Sequence, residues 1–304
     1  MSGADNTDGG GRAAYVLVTP ARNEAALIEV TIRSVVAQTI KPLRWVIVSD
    51  GSTDGTDDIV AKYAQQHRWI QIITLPARHE RTFAAKARAF NLGWNSMQDL
   101  TYDAIANLDA DVSFDPDYFA FLLDRLASDP GLGVVGTAFK DRSLHYDYRF
   151  VSIEHVAGPC QLFRRKCLED IGGYVLSEYG GIDHIAVIVA RMKGWKTRTF
   201  TEQTYVHHRE MGTATRGVLA ARFRTGALDY ALGGHPLWEV FRTFYQMTKT
   251  PYVVGALMLL TGYVSAAVRG KERPVTPELV AFRRREQMRR LRGMLERQRF
   301  GRGS

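Results

Sequence analysis

Two aspartates separated by one alanine, Asp109-Ala110-Asp111, close a mostly apolar run, AIANL. Carboxylates two residues apart reach one site where a chain leaves a strand and turns. Paired carboxylate oxygens are hard ligands suited to Mg2+ or Mn2+, often shared with the phosphates of a substrate. An exposed acidic turn is the alternative for such a pair taken alone. A second cluster, DGSTDG from Asp50, follows RWVIVS. Its glycines permit tight turns, and Asp50 can accept hydrogen bonds from a base or a ribose. An ordinary strand-to-helix turn with Asp54 as the cap is the alternative. A third cluster, TPARNE ending at Glu24, follows the first apolar run.

All three clusters stand just after apolar runs, and those runs alternate with helical patterns. Residues 14–19 (AYVLVT), 44–49 (RWVIVS), 70–75 and 103–108 read as buried strands. Residues 25–38, 55–66 and 82–97 carry apolar side chains at helical spacing. Strands alternating with helices of ten to fifteen residues imply parallel βαβ units with right-handed crossovers. Ligands of such sheets bind beyond the carboxyl ends of the strands, where the three clusters lie. Further along, 132–139 reads as a strand, 168–171 ends a short helix at Gly172-Gly173, and 182–193 is helical. Residues 196–201 and 203–208 read as two more strands, and the last third of the chain as helices.

In combination the clusters resemble glycosyltransferase family 2, of the inverting, non-processive, membrane-associated bacterial type. The motifs that carry the resemblance are TPARNEA, VSDGSTDGT and NLDADV, in that order. The resemblance covers residues 14–208. It implies an α/β GT-A fold, a Rossmann-like mixed and mostly parallel sheet flanked by helices, followed here by C-terminal amphipathic and hydrophobic helices. It also implies a nucleotide-sugar site made by Pro20, Ala21, Asn23, Glu24, Asp50, Ser52, Asp109 and Ala110. FAAKARAFNLGW (83–94) resembles the family's stretch whose basic and Asn residues approach the diphosphate, so Lys86, Arg88 and Asn91 join that set.

GPCQLFRRKCLEDIGGY (158–174) resembles the family's acceptor-side segment, so Gly158 and Pro159 are expected on the acceptor side, with Glu178 and Ile182. The family then carries an acidic pair whose second member is the catalytic base. Here Ile182-Asp183 stands in that place, so Asp183 is the expected base. The first acidic member is missing, Glu178 is the runner-up, and an N-cap is the alternative role for Asp183. His207 and His208 follow on a strand, where alternation lets only one face the site. A His at this place in related enzymes completes the metal shell or contacts the diphosphate, and His208 is the expected one beside Asp109 and Asp111. Residues 65–69 spell Q-x-x-R-W, a signature of processive synthases in this family. There it follows the base; here it lies far upstream and is not carried over.

The implied reaction is an inverting, Mn2+- or Mg2+-dependent transfer from a nucleotide-diphosphate sugar, with UDP the commonest donor nucleotide of the family. The acceptor would be a glycan or polyprenyl-linked intermediate, as in surface polysaccharide assembly. A non-catalytic nucleotide-sugar-binding or scaffold protein on the same fold is the alternative. A sugar nucleotidyltransferase would need a Gly-rich loop where TPARNE stands.

Composition agrees with a globular enzyme: 304 residues, 45% hydrophobic and 24% charged, which excludes disordered and fibrous classes. The formal charge is +8, but it is not spread evenly. Residues 269–304 hold eleven Arg and one Lys against four Glu, a net of +8, and the preceding 268 residues hold 28 of each sign. The tail lacks interleaved aromatics, so nucleic acid is not an expected partner. The chain is expected to divide into a disordered leader (1–13), a catalytic domain (14–235, donor half 14–111 and acceptor half 112–235), membrane-associating helices (236–268) and a basic helical tail (269–304). Residues 251–268 carry no charge and would rise about 27 Å as a helix, the lower edge of a span. A single crossing would leave the basic tail on the far side, against the positive-inside tendency. Residues 236–304 are therefore expected to lie on an anionic membrane surface, at the cytoplasmic face, in a monotopic or peripheral arrangement. A helix buried against the domain is the alternative for 251–268.

Overall fold

The computed structural model describes residues 13–77, 83–140, 152–177, 179–209 and 217–300. The first half runs β1 (Tyr15–Ala21), α1 (Ile28–Val36), β2 (Arg44–Asp50), α2 (Thr56–Gln66), β3 (Ile70–Leu75), α3 (Phe83–Asn95) and β4 (Ala104–Leu108). Then come β5 (Val112–Ser113), α4 (Tyr118–Ser128), β6 (Leu132–Lys140), β7 (Cys160–Arg164), α5 (Arg165–Ile171), α6 (Ile182–Met192) and β8 (Lys196–His207). Four helices follow: α7 (Gly217–Ala231), α8 (Pro236–Gln246), α9 (Tyr252–Val268) and α10 (Pro277–Phe300).

The strands form one sheet in the order β3-β2-β1-β4-β7-β6-β8-β5. β1 pairs in parallel with both β2 and β4, so the strand order reverses beside β1. β7 is antiparallel to β4 and β6, and β5 is antiparallel to β8. Every residue of β4 is buried, as is nearly all of β1 and β2. Strands covered on both faces are predominantly apolar, so these read as apolar runs in which the buried Asn107 of β4 is hydrogen-bonded to the Gly158 carbonyl. Trp45, fully buried in β2, has its indole N–H satisfied by Thr19 Oγ1 at 2.9 Å. Each large aliphatic side chain buried here contributes about 1.5–3 kcal/mol.

The two expected strands at 196–208 are one strand, β8, ending at His207. Its register against β6 slips between the pairs Thr137–Phe200 and Ala138–Thr204, so the break read from the sequence is a bulge. The apolar pattern of the sequence marks α7 only as part of a helical last third and does not mark β5, β7 or α4. β5 is too short for periodicity to register, and β7 lies inside the polar acceptor-side segment.

The terminal helices pack against each other and onto α6. α7 and α9 approach until backbones touch, because a Cβ on Gly226 would overlap the Leu259 carbonyl and one on Gly262 the Phe223 carbonyl. Among the described residues, no helix is long and apolar enough to cross a membrane. Between α7, α8 and α10 lies a buried charge cluster. Arg283 Nη2 donates to Asp229 Oδ1 at 2.6 Å, and Arg242 reaches both Asp229 and Glu239 at 3.3 Å. Burial, reinforced by Asp229 and opposed by Arg242, pushes the Glu239 carboxyl up to about 8. Burial also raises Asp229, but Arg283 and Arg242 outweigh it and hold that carboxylate below its usual range. Glu239 therefore keeps its proton at neutral pH and shares it with Asp229. Its folded value lies above the ordinary 4.5, so its stabilisation is complete below that pH and is lost as pH rises toward about 8. Urea unfolding should show the advantage of wild type over Glu239→Gln falling across that window; a difference independent of pH would refute the shared proton.

Candidate active site

The carboxyl ends of β1, β2 and β4 open into one cleft. Pro20, Ala21, Arg22 and Glu24 enter it from β1, Asp50 from β2, and Asp109, Ala110 and Asp111 from β4. Ala85, Lys86 and Ala89 line it from α3, and Arg209 from the end of β8. This is the switch point of the sheet, where diverging crossovers leave a crevice.

Charges converge there. Lys86 Nζ sits 2.6 Å from Asp109 Oδ1. Burial lowers the Lys86 ammonium, but Asp109 outweighs burial and the group is held above its ordinary value. Burial raises the Asp109 carboxyl; Lys86 opposes this, and the neighbouring Asp111 adds to the rise. Burial also raises Asp111, but His207 and Arg209 overcome it and hold that carboxylate low. His207 Nε2 lies 3.4 Å from Asp111 Oδ1, and Arg209 Nε lies 3.6 Å from Asp111 Oδ2. Burial lowers His207, but Asp111 more than compensates.

One ligand atom each from Asp109, Asp111 and His207 lie within 4.8 Å of one another. Asp111 Oδ1 and His207 Nδ1 are buried without a hydrogen-bond partner. Two carboxylate oxygens and an imidazole nitrogen, with buried acceptors unsatisfied, fit a divalent cation of the Mg2+ or Mn2+ kind.

The histidine of this cluster is His207, and His208 is corrected. The His208 ring turns away to Ser113 Oγ at 2.8 Å, while its backbone N–H donates to the Asp111 carbonyl. Strand parity decides between them. Tyr205 and His207 are buried and Val206 is exposed, so burial of the Tyr205 ring commits the odd positions inward. The same parity explains Arg209, which none of the sequence motifs marks. Its guanidinium grips Glu24, with Nη1 3.0 Å from Oε1. Arg22 lies 3.7 Å from Asp50 Oδ2.

Four further expected donor residues lie elsewhere. Arg88 is exposed, two positions round α3 from Lys86. Asn91 bonds the backbone of Tyr174 twice, donating to its carbonyl at 2.8 Å and accepting from its N–H at 3.0 Å. It pins the acceptor-side segment to α3 and is not among the residues lining the cleft. Asn23 and Ser52 tie the loops after β1 and β2 together. Asn23 N–H donates to Ser52 Oγ at 3.1 Å, and Asn23 Oδ1 accepts from Thr53 N–H at 2.9 Å. Asn23 holds a positive φ of 53°, which its short polar side chain tolerates.

On the acceptor side, Gly158 and Pro159 are stitched to β4. Asn107 Nδ2 donates to the Gly158 carbonyl, and Asp109 N–H to the Pro159 carbonyl, both at 2.8 Å. Asp183 stands in the first turn of α6, whose N-cap is Gly181, so it is not the cap. A Cβ on Gly158 would lie 2.5 Å from Asp183 Oδ2. Only glycine leaves room for that carboxylate. The Asp183 charge acts on Lys86 together with those of Asp109 and Asp111. Ile182 is 4% exposed and packs in the core beside Ala186 and Val187, so its side chain anchors α6. Glu178 lies outside the described residues. Gly158→Ala should displace Asp183 and lower turnover about 10–100-fold, as small misplacements do. Nucleoside diphosphate binding should persist; unchanged turnover would show that the contact is unimportant.

Residues 16–157 match the model of a family described as Glycosyl transferase family 2. Poly-beta-1,6-N-acetyl-D-glucosamine synthase of Staphylococcus aureus (strain COL) is 30% identical over 113 residues, 37% of this chain and 25% of that protein. The chain therefore spans about a quarter of the length of the first curated relatives it matches. Among solved structures, mannosyltransferase PcManGT from Pyrobaculum calidifontis, in complex with GDP-Man and Mn2+, superposes with a TM-score of 0.58 at 22% identity, covering 88% of this chain and 78% of that one. S. aureus TarS 1–349 in complex with UDP-GlcNAc gives 0.56 at 14% identity, covering 83% and 79%. The chain has the GT-A fold of these structures, and residues 16–157 are similar to glycosyltransferase family 2.

Proposed function

We propose that the protein is an inverting glycosyltransferase that moves a sugar from a nucleoside-diphosphate sugar to an acceptor hydroxyl. The observation that carries this reading is the convergence of Asp109, Asp111 and His207 with Lys86 at the cleft where β1, β2 and β4 end. Asp50, 5% exposed at the end of β2, offers its carboxylate to the base or ribose. Lys86 and Arg209 present positive charge beside the diphosphate. A Mn2+ or Mg2+ ion held by Asp109, Asp111 and His207 would neutralise charge on the departing diphosphate. Asp183 takes the proton of the acceptor hydroxyl as that oxygen bonds the anomeric carbon. The bond from that carbon to the phosphate oxygen breaks on the opposite face, and the nucleoside diphosphate leaves with the electron pair.

UDP-sugar is the proposed donor, in keeping with the resemblance to a TarS structure that holds UDP-GlcNAc. A structural relative holds GDP-Man, so GDP is the competitor to test. The acceptor is proposed to be a lipid-linked glycan intermediate. That places the enzyme at the cytoplasmic face of the membrane, because nucleotide sugars are cytosolic. Thermal melting with UDP or GDP, with and without Mn2+, tests the donor site. Ligand at about a hundredfold excess over its dissociation constant adds about 2.7 kcal/mol of stability. A rise in Tm requiring both nucleotide and metal is expected. Melting curves unaffected by any combination would overturn the reading.

A further inference from the structure

α8 is sorted the wrong way for water. It buries Glu239 (0% exposed) and Thr243 (3%), and it exposes Leu237 (57%), Val240 (42%) and Phe244 (64%). Those three positions are spaced i, i+3, i+7, one stripe of a helix. Its neighbour α9 buries Gly255, Ala256, Leu259, Gly262, Tyr263 and Ala266, largely against α7. Its opposite side leaves Val253, Val254, Leu257, Val264 and Val268 between 48% and 81% exposed. Scattered exposed aliphatics are ordinary, but two adjacent helices with apolar outer stripes form a patch that needs a partner.

The charges identify the partner. From Gly217 to Lys271 the only acidic residues are Asp229 and Glu239, and both are buried. The exposed cations Lys249 and Arg269 stand at the two ends of α9. An apolar surface bordered by Lys249 and Arg269, with the exposed acid Glu272 only beyond the end of α9, complements anionic lipid headgroups above acyl chains. A second copy of the chain meeting the same face would set these cations against one another.

We infer that the outer faces of α8 and α9 form a docking surface for an anionic lipid bilayer. The helices lie along the membrane, because the other side of α9 is committed to α7. The basic tail contributes less than its charge suggests. Arg283 is turned inward to Asp229, Arg290 donates to Glu154 at 2.6 Å, and Glu286 pairs with Arg191 at 2.7 Å. This layer touches the helix that carries Asp183. A Cβ on Gly181, two residues before it, would lie 3.0 Å from Leu232, which directly follows α7. The inference stands on exposure and charge, and it holds with or without the catalytic reading.

Flotation of the full chain with vesicles tests it. Wild type should float with phosphatidylcholine–phosphatidylglycerol vesicles and far less with phosphatidylcholine alone. Combined Leu237→Ser, Phe244→Ser and Leu257→Ser should weaken binding at least about tenfold, since each lost side chain removes apolar burial. Lys249→Glu with Arg269→Glu should abolish the preference for phosphatidylglycerol. All five positions are exposed, so Tm and nucleoside diphosphate binding should match wild type. Failure of wild type to float, or equal flotation of the triple variant, would overturn the inference. So would a concentration-dependent dimer that the same serine substitutions dissociate.

Discussion

Asp183→Asn should cut sugar transfer by about 10²–10⁴-fold, the range that a positioned general base contributes. The substitution conserves shape and removes the basic oxygen. Gly158 should still fit against the side chain, since the contact of closest approach is steric. The Gln161 side-chain amide, 3.4 Å from the Asp183 carbonyl, meets backbone and is indifferent to the change. Nucleoside diphosphate affinity should therefore stay within a fewfold of wild type, and the loss should fall on kcat. Asp183 acts on Lys86 electrostatically, so a modest change in donor affinity is admissible. Turnover at the wild-type rate would remove Asp183 from the mechanism. Loss of nucleotide binding in equal measure would reassign it to the donor site.

Asp111→Asn should abolish the dependence of nucleotide binding on Mn2+, with affinity for the metal–nucleotide pair falling at least about 100-fold. Asp111 is 6% exposed and lies within 4 Å of both His207 and Arg209. An amide lacks the charge that holds either cation and offers a divalent ion a weaker ligand. The variant should also leave Arg209 with Glu24 as its remaining carboxylate partner in the cleft. Calorimetric titration of UDP into protein with Mn2+ or with chelator gives the readout. Equal titrations for wild type and variant in Mn2+ would sink the metal site. His207→Ala should lose metal dependence and His208→Ala should keep it, which separates the two histidines directly.

The three clusters at the ends of β1, β2 and β4 were legible because their causes are local. A strand covered on both faces is predominantly apolar, so each reads as a run, and the polar cluster after it marks its carboxyl end. The structure brings Asp50, Asp109 and Asp111, which follow these runs, into one cleft. Lys86 was legible only through the family pattern, since nothing in a helix of mixed polarity tells which side faces a sheet. The same pattern misplaced Arg88 and Asn91 for that reason.

What the sequence by itself determined was the alternation of strands and helices from β1 to β4, the carboxylate pair and the place in the chain of the expected base. Tertiary structure alone decided the parity of β8. A bulge opposite Thr137 and Ala138 resets the strand after Phe200, and only the burial of Tyr205 then shows that His207, not His208, turns inward. It also decided that Arg209 meets Glu24 across 185 positions of chain, and that Gly158 exists to admit Asp183. The same holds for the charge of the tail, part of which is spent on Asp229 and Glu154 within the fold. The physical reason is common to all. Periodicity and turn chemistry act over a few residues and leave their mark in the sequence. Which side of an element faces a partner depends on contacts between segments far apart in the chain, and these exist only once the sheet has assembled.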